Sequence, residues 1–309
     1  MFEQYGYSNY VIKRYISLFG AKKTKELLDA NKRKPRKSIR VNTLKISLSS
    51  CRNLLKKKGF VLSKIPWANG FFVDKEPSSI AATTEHLLGY YYIQDASSMI
   101  PPVELNPKTT DTVLDMTAAP GGKLCHLAEI MKNKGAVVGL DINREKMQAV
   151  RSNVQRMGVT NSVVYRMDAK DVSGLGIKFD KILLDAPCTG EGTIGKNPER
   201  KNLQKKDFDH YSSLQKELLS GAFSVLKPGG IILYSTCSLA PEENEMVVEW
   251  AAEKFKASLL NLSTRDISKG LTYFFGRPHL RALSKCGRLY PHIHDTQGFF
   301  LAKLKKKAK

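Results

Sequence analysis

The spacing of apolar residues changes character along this chain. Near the start, Tyr10, Ile12, Tyr15, Ile16 and Phe19 are placed for one face of a helix, and Gly20 reads as its stop. Residues 38–75 then predict a strand at SIRVNTL and a helix carrying Leu48, Cys51 and Leu55. Ser47 or Ser49 caps that helix, Gly59 ends it, and Asn69-Gly70 joins Val61–Trp67 to Phe71–Val73 as a two-residue hairpin. From about residue 100, strands alternate with helices. Strands are expected at Thr112–Met116, Ala136–Asp141, Ser162–Asp168, Lys181–Pro187, Ile231–Thr236 and Gly298–Leu304. Helices are expected to about Met131, to about Met157, over 207–226, and from Pro241 to about Phe255. This alternation predicts an α/β domain with a mostly parallel sheet and helices on both faces, here 101–309. Residues 1–100 form a separate helical and α+β module in the same reading.

In such a sheet, ligands sit beyond the carboxyl ends of the strands, and the residues with chemistry collect there. Val113–Lys123, VLDMTAAPGGK, runs from an apolar strand through Asp115 into a Pro-Gly-Gly turn and a helical pattern at Leu124–Met131. The glycines let backbone approach a ligand and leave amides free to donate. The stretch lacks both G-x-G-x-x-G and the lysine-Ser/Thr pair of a phosphate loop. Asp141 ends the second strand, where a carboxylate can take both hydroxyls of a ribose. Asp168 ends the third, where it can accept from an adenine amino group. Either acid alone reads as a helix cap, but acids in register at successive strand ends read as a nucleoside site. The fourth strand ends Asp185-Ala186-Pro187-Cys188 and the fifth Ser235-Thr236-Cys237, so two cysteines face one cleft. A cysteine beside a helix N-terminus in basic surroundings is nucleophilic, whereas the default free cysteine is a small buried residue.

Composition adds a partner. Fifty Lys and Arg against 29 Asp and Glu give a net charge of +21, which points to a polyanion, nucleic acid first. The basic clusters at 32–37, 56–58 and 303–309 are the candidate phosphate contacts. No apolar run approaches the ~20 residues of a membrane span, and MFEQYGYSNY lacks a signal-peptide layout. A cytoplasmic protein that avoids the membrane is expected. Cys51, Cys125, Cys188, Cys237 and Cys286 show no CxxC or Cys/His spacing, which argues against a disulfide framework and against a metal site.

DMTAAPGGK, DAPCTGEG and YSTCSLAPEENE resemble three motifs of the Sun/Fmu (Nol/Nop) family of RNA (cytosine-5) methyltransferases. RVNTLK at 40–45, QDASS at 94–98 and RLYPHIHDTQGFF at 288–300 resemble further motifs, so the likeness covers nearly the whole chain. The resemblance implies a Rossmann-like S-adenosylmethionine-dependent methyltransferase with a mostly parallel seven-stranded sheet; the strand, helix and hairpin of 38–75, with Lys56-Lys57-Lys58 on the helix, suggest a small RNA-recognition-like module before it or else an extension of the main domain. It implies S-adenosyl-L-methionine as cofactor and carbon 5 of a cytosine in RNA as target, through a covalent cysteine–cytosine intermediate. A tRNA substrate is expected, because the chain has room for little beyond the catalytic core and a small N-terminal module, and a monomer is expected. An rRNA enzyme is the alternative, as is an RNA-binding assembly factor that keeps the fold. Carried over, Ala118, Ala119, Pro120, Gly121, Gly122 and Lys123 wrap the methionine part of the cofactor. Asp141 meets the ribose, Asp168 the adenine, and Asp185 lies beside cofactor and base. Cys237 is the nucleophile and Cys188 serves product release, while Asp185 and Lys123 hold the polar network at the ring nitrogen. Lys146 stands where the family has Arg, keeping the charge and losing the bidentate fork; Val150 replaces Leu, and Gln297 an acid.

Overall fold

The apolar runs build two sheets, seen in a computed structural model that describes residues 2–308. The chain enters through α1 (Asn9–Asn31), capped by the Ser8 hydroxyl. Gly20 bends this helix and does not stop it: its left-handed φ of 76° interrupts the hydrogen-bond ladder, and the helix resumes beyond it. Val11, Tyr15, Leu27 and Leu28 of both halves pack against Leu239 and Tyr290, far along the chain.

The first sheet contains β1 (Ser38–Val41), β2 (Val61–Lys64), β3 (Gly70–Lys75) and β4 (Tyr91–Ile93), in the order β2-β3-β1-β4 and antiparallel throughout. One face is covered by α2 (Leu48–Lys57), which buries Cys51 and Leu55 and is capped by Ser47. The short helix α3 (Thr84–Leu87) and β4 complete the module. The β2–β3 turn is not the predicted two-residue one. It spans Pro66–Asn69, closed by the Ile65 amide donating to the Gly70 carbonyl at 3.1 Å. Gly70 opens β3, and a Cβ there would lie 2.5 Å from the Ile39 carbonyl oxygen, so the neighbouring strand is what excludes a side chain.

The second sheet is reached through α4 (Ile100–Leu105). Its parallel part consists of β5 (Thr112–Asp115), β6 (Ala136–Asp141), β7 (Ser162–Arg166), β8 (Phe179–Asp185) and β9 (Leu226–Thr236). The connecting helices are α5 (Gly122–Ile130), α6 (Arg144–Met157) and α7 (Lys205–Val225), and α8 (Glu245–Lys254) follows β9. Beyond α8 come β10 (Ser258–Leu260), β11 (Ser268–Lys269), a two-stranded hairpin of β12 (Tyr273–Phe274) and β13 (Arg277–Pro278), β14 (Gly287–Leu289), α9 (Pro291–His294) and β15 (Phe299–Lys305). The order is β11-β14-β15-β9-β8-β5-β6-β7, with β10 also on β15: nine strands in a mixed sheet, where seven mostly parallel ones were expected. β10, β11 and β14 are two or three residues long, too short for a period of two to register.

Neighbouring residues on each parallel strand serve opposite faces. Val113, Leu183 and Leu233 join the core under α4, α5 and α6; Leu114, Leu184 and Tyr234 join the one under α7 and α8. β15 runs against β9, with Phe300 beside Thr236 at the end of that strand and Lys305 beside Ile231, back toward its middle. Residues 303–308 of the basic tail therefore lead away from the carboxyl strand ends and are no part of the cleft, and Lys309 lies outside the described residues. Among the described residues no helix is long and apolar enough to cross a membrane.

One buried ion pair ties β14 to α8. The Arg288 guanidinium donates from Nε to Glu245 Oε1 at 2.6 Å, from a second nitrogen to Oε2, and from the third to the Leu239 carbonyl at 3.0 Å, with both side chains fully buried. Removing one partner leaves the other charge without compensation. Arg288→Met should cost about 3–5 kcal/mol in urea denaturation, and adding Glu245→Leu should recover part of the loss.

Candidate active site

The loop after β5 is stitched to its neighbours. The Ala118 amide donates to the Leu140 carbonyl at 2.8 Å, and the Ala119 amide to Asp141 Oδ2 at 3.3 Å. The Thr117 hydroxyl reaches the Asp185 carbonyl at 2.9 Å, and the Ala119–Pro120 bond is cis. The two glycines have reasons other than ligand approach. Gly121 has a φ of 104° as it caps α5, and a Cβ on Gly122 would sit 3.0 Å from the Tyr92 ring. Tyr92 belongs to β4, so the antiparallel module packs directly on this loop. Arg40 of β1, fully buried, donates to the Gly122 carbonyl at 2.7 Å and to Gln94 Oε1 at 2.8 Å.

Two cavities meet at Thr117, Ala119 and Asp185. The larger, of about 560 Å³, is lined by Asp141, Ile142, Asn143, Lys146, Asp168 and Ala169 among others. The smaller, of about 240 Å³, is lined by Ala118, Pro120, Gly122 and Lys123 together with Gln94, Asp95, Lys196 and Gln297. Asp141 lies at the end of β6, as expected, and also accepts from the Asn143 amide at 2.9 Å. β7 stops at Arg166, so Asp168 is two residues past the strand end; it caps a 3₁₀ turn, accepting from the Lys170 amide at 3.0 Å. It still faces the large cavity, so the capping and cavity-lining roles coincide. Lys146 borders the same cavity from the first turn of α6, where Asn143 caps its amide at 3.0 Å.

At the junction, Lys123 Nζ lies 2.6 Å from Asp185 Oδ2, and the Ser235 hydroxyl donates to Oδ1 at 2.7 Å. Burial works against the Lys123 charge, but the Asp185 carboxylate more than offsets it and holds the ammonium above its ordinary pKa. Cys188 and Cys237 follow the same two strands with their sulfurs 3.3 Å apart, both half-buried, whereas Cys51, Cys125 and Cys286 are buried. The sulfur–sulfur hydrogen bond, then burial, keep the Cys188 thiol well above its ordinary value. Behind them, Arg14 and Tyr15 of α1 reach Glu191, at 3.5 and 3.3 Å.

The basic clusters divide. Arg33 and Lys34 are exposed and line a small pocket with Gly192, Thr193 and Gln297, whereas Arg36, Lys37 and Lys58 are held by Asp74, Glu76 and Glu85. Among the described residues no cluster of His, Cys, Asp and Glu is arranged to hold a metal. Sequence reasoning gives no role to Arg40, Gln94, Ser235 or Glu243; all four lie within quoted motifs, but nothing local tells where their side chains reach.

Five parallel strands, a glycine turn after the first, an acid closing the second and an antiparallel partner for the fifth define a Rossmann-like S-adenosylmethionine-dependent methyltransferase fold. Within that class the chain belongs to the RsmB/F family: residues 102–305 match the family described as 16S rRNA methyltransferase RsmB/F, and 9–96 match the N-terminal domain of 16S rRNA methyltransferase RsmF. It is 37% identical to a 28S rRNA (cytosine-C(5))-methyltransferase of Mus musculus, over 98% of this chain and 39% of that one. A methyltransferase homologue from Pyrococcus horikoshii superposes with a TM-score of 0.92 at 42% identity, covering 99% of this chain and 97% of that one. NSun6 from Pyrococcus horikoshii, solved with SFG, superposes at 0.86 with 27% identity, over 98% and 99%. The chain spans about two fifths to three fifths of the length of the curated relatives it matches.

Asp115, at the end of β5, carries a measurable signature. Burial lifts its carboxyl from 3.8 to about 7, against the pull of Lys123, and its Oδ2 has no hydrogen-bond partner. An acid with a raised folded pKa binds extra protons on folding, so its contribution to stability falls as pH rises between those two values. Asp115→Asn should remove that slope and be more stable than the wild type at pH 8 by about 4 kcal/mol. Denaturation at pH 3 and pH 8 checks this, the two proteins converging at the lower pH.

Proposed function

We propose that this protein methylates carbon 5 of a cytosine in RNA, with S-adenosyl-L-methionine as donor and a cysteine bound to the base in passing. The observation that carries this reading is the pair of sulfurs 3.3 Å apart beside the Lys123–Asp185 contact, where a nucleoside-sized cavity ends. The residues present fit the cofactor. Asp141 offers a carboxylate at a strand end and Ile142 an exposed apolar face, with Asp168 and Lys146 on the same wall. The Ala118–Lys123 loop would hold the methionine part, and the SFG-bound relative superposes over nearly the whole chain. When bound, S-adenosyl-L-methionine supplies an electrophilic methyl group.

Carbon 5 of cytosine is too weak a nucleophile to take that methyl unaided. In this reading the Cys237 thiolate adds to carbon 6, and the displaced electron pair makes carbon 5 the nucleophile of an enamine. Asp185, fixed by Lys123 and Ser235, acts at the ring nitrogen as acid or hydrogen-bond partner and steadies the charge that develops there. Cys188 retains its proton in the resting pair and serves the release step, in which the carbon 5 proton leaves and Cys237 is eliminated. Arg33 and Lys34, exposed beside Gln297, contact RNA phosphates as part of the proposal, and residues 1–100 act as the module that presents the RNA. We take ribosomal RNA as the first substrate, because the curated relatives are named for it. tRNA is the second, as the sequence reading favoured. A monomer in the cytoplasm completes the proposal.

On denaturing gels with labelled RNA, Cys188→Ala should accumulate a stable protein–RNA adduct and Cys237→Ala should form none. An adduct from Cys237→Ala would move the nucleophile to Cys188. Bisulfite sequencing of total RNA from a strain lacking the gene should show a cytosine in ribosomal RNA that has lost its mark. A loss confined to tRNA selects the second substrate, and no loss anywhere defeats the enzymatic reading.

A further inference from the structure

We propose that Glu243 is a positioning residue whose buried carboxylate ties the Cys188 loop to the Cys237 loop and so sets the distance between the two sulfurs. This rests on the reading that both cysteines act on the base. Each cysteine is followed by a residue that grips this one side chain. Thr189 donates its amide to Glu243 Oε2 at 2.8 Å and its hydroxyl to Oε1. Ser238 donates its hydroxyl to Oε1 at 2.7 Å. Gln215 of α7 donates one amide group both to Oε2 at 3.1 Å and to the Pro187 carbonyl at 2.9 Å, just before Cys188.

The clamp is anchored on one side and reaches to the other. The Glu243 carbonyl accepts from Tyr234 of β9 at 2.6 Å. Asn244 is joined to Thr236 at 2.6 Å and to the Ser238 carbonyl at 2.9 Å, which fixes the turn before α8 to the end of β9. From that turn the Glu243 side chain crosses to the loop after β8. The loops are also linked by a 3.4 Å contact between the Thr189 and Ser238 hydroxyls and, beyond the cysteine on the β8 side, by the Gly192 amide donating to the Cys237 carbonyl at 3.0 Å. Glu243 is fully buried, and these partners are all uncharged donors. A carboxylate in that setting is a poor stabiliser next to an apolar filler. What it does supply is an acceptor that takes donors from both loops at once, and a misplacement of about 1 Å in such a site costs on the order of 100-fold in rate.

The test reads the sulfur separation without using catalysis. Diamide removes two electrons and two protons from a close thiol pair, leaving a disulfide and the reduced hydrazine. Its rate of joining Cys188 to Cys237, followed by mass spectrometry of unreduced peptides, should fall about tenfold or more in Glu243→Ala. Glu243→Gln should recover most of the rate, since its oxygen still serves the Thr189 amide and its nitrogen can donate to the two hydroxyls. In turnover, Glu243→Ala should lose about 100-fold in kcat with KM for RNA little changed. If the alanine variant does not fold, Ser238→Ala, which removes one hydroxyl from the clamp, is the deciding variant and should slow the joining. Joining at the wild-type rate in a folded clamp variant overturns the proposal. Slower joining in a protein whose Cys188→Ala form traps no RNA instead overturns the methyltransfer reading and leaves the clamp standing.

Discussion

The register between β8 and β9 is the constraint on which the site depends. Parallel pairing sets Asp185 opposite Ser235, and each strand then turns out of the sheet within three residues. Because the two turns leave from the same level, their cysteines arrive side by side, and the Ser235 hydroxyl is within reach of the Asp185 carboxylate. A slip of one residue would send every side chain of one strand to the opposite core and separate the sulfurs. The alternation of Leu183 and Leu184 between two packed clusters guards against that slip. The hydrophobic effect thus holds the distance between the two sulfurs.

Charge is distributed unevenly around this frame. The chain carries +21, yet Asp115, Asp141 and Asp185 gather at the strand ends, and Lys123 is the cation set among them. Its attraction to Asp185 outweighs its own burial, while for Asp115, which has no such direct partner, desolvation outweighs the pull of Lys123. The excess positive charge lies elsewhere: some is spent on Asp74, Glu76 and Glu85, some lies at the far edge of the sheet, and Arg33 and Lys34 remain exposed beside Gly192, Thr193 and Gln297.

Legibility in the sequence followed the range of the interactions. The parallel strands could be read because each is an apolar run bounded by turn residues, and the acids and cysteines at their ends could be read with them. Ser47 and Gly59 were readable for the same reason, since capping is local. Gly20 and Asn69-Gly70 misled, because the local rule was overruled by a neighbour distant in sequence. The site's supports were the least legible. Arg40 reaches across 82 residues to Gly122, and Thr189 across 54 to Glu243, and no periodicity records such a distance. Gly122 fits a ligand-approach rule in the sequence, and only the fold shows that Tyr92 fills the space beside it.

The place of β15 has a consequence for biosynthesis. β9 is flanked by β8 on one side and β15 on the other, and β15 is translated well after β9. While the ribosome makes α8 and the short strands that follow, the nascent β9 presents a row of unpaired amides and carbonyls beside largely apolar side chains, the arrangement most prone to wrong pairing. The segment leading to Cys237 therefore spends its early life as an open seam. Chaperone protection during that interval would bear directly on how much active protein a cell obtains.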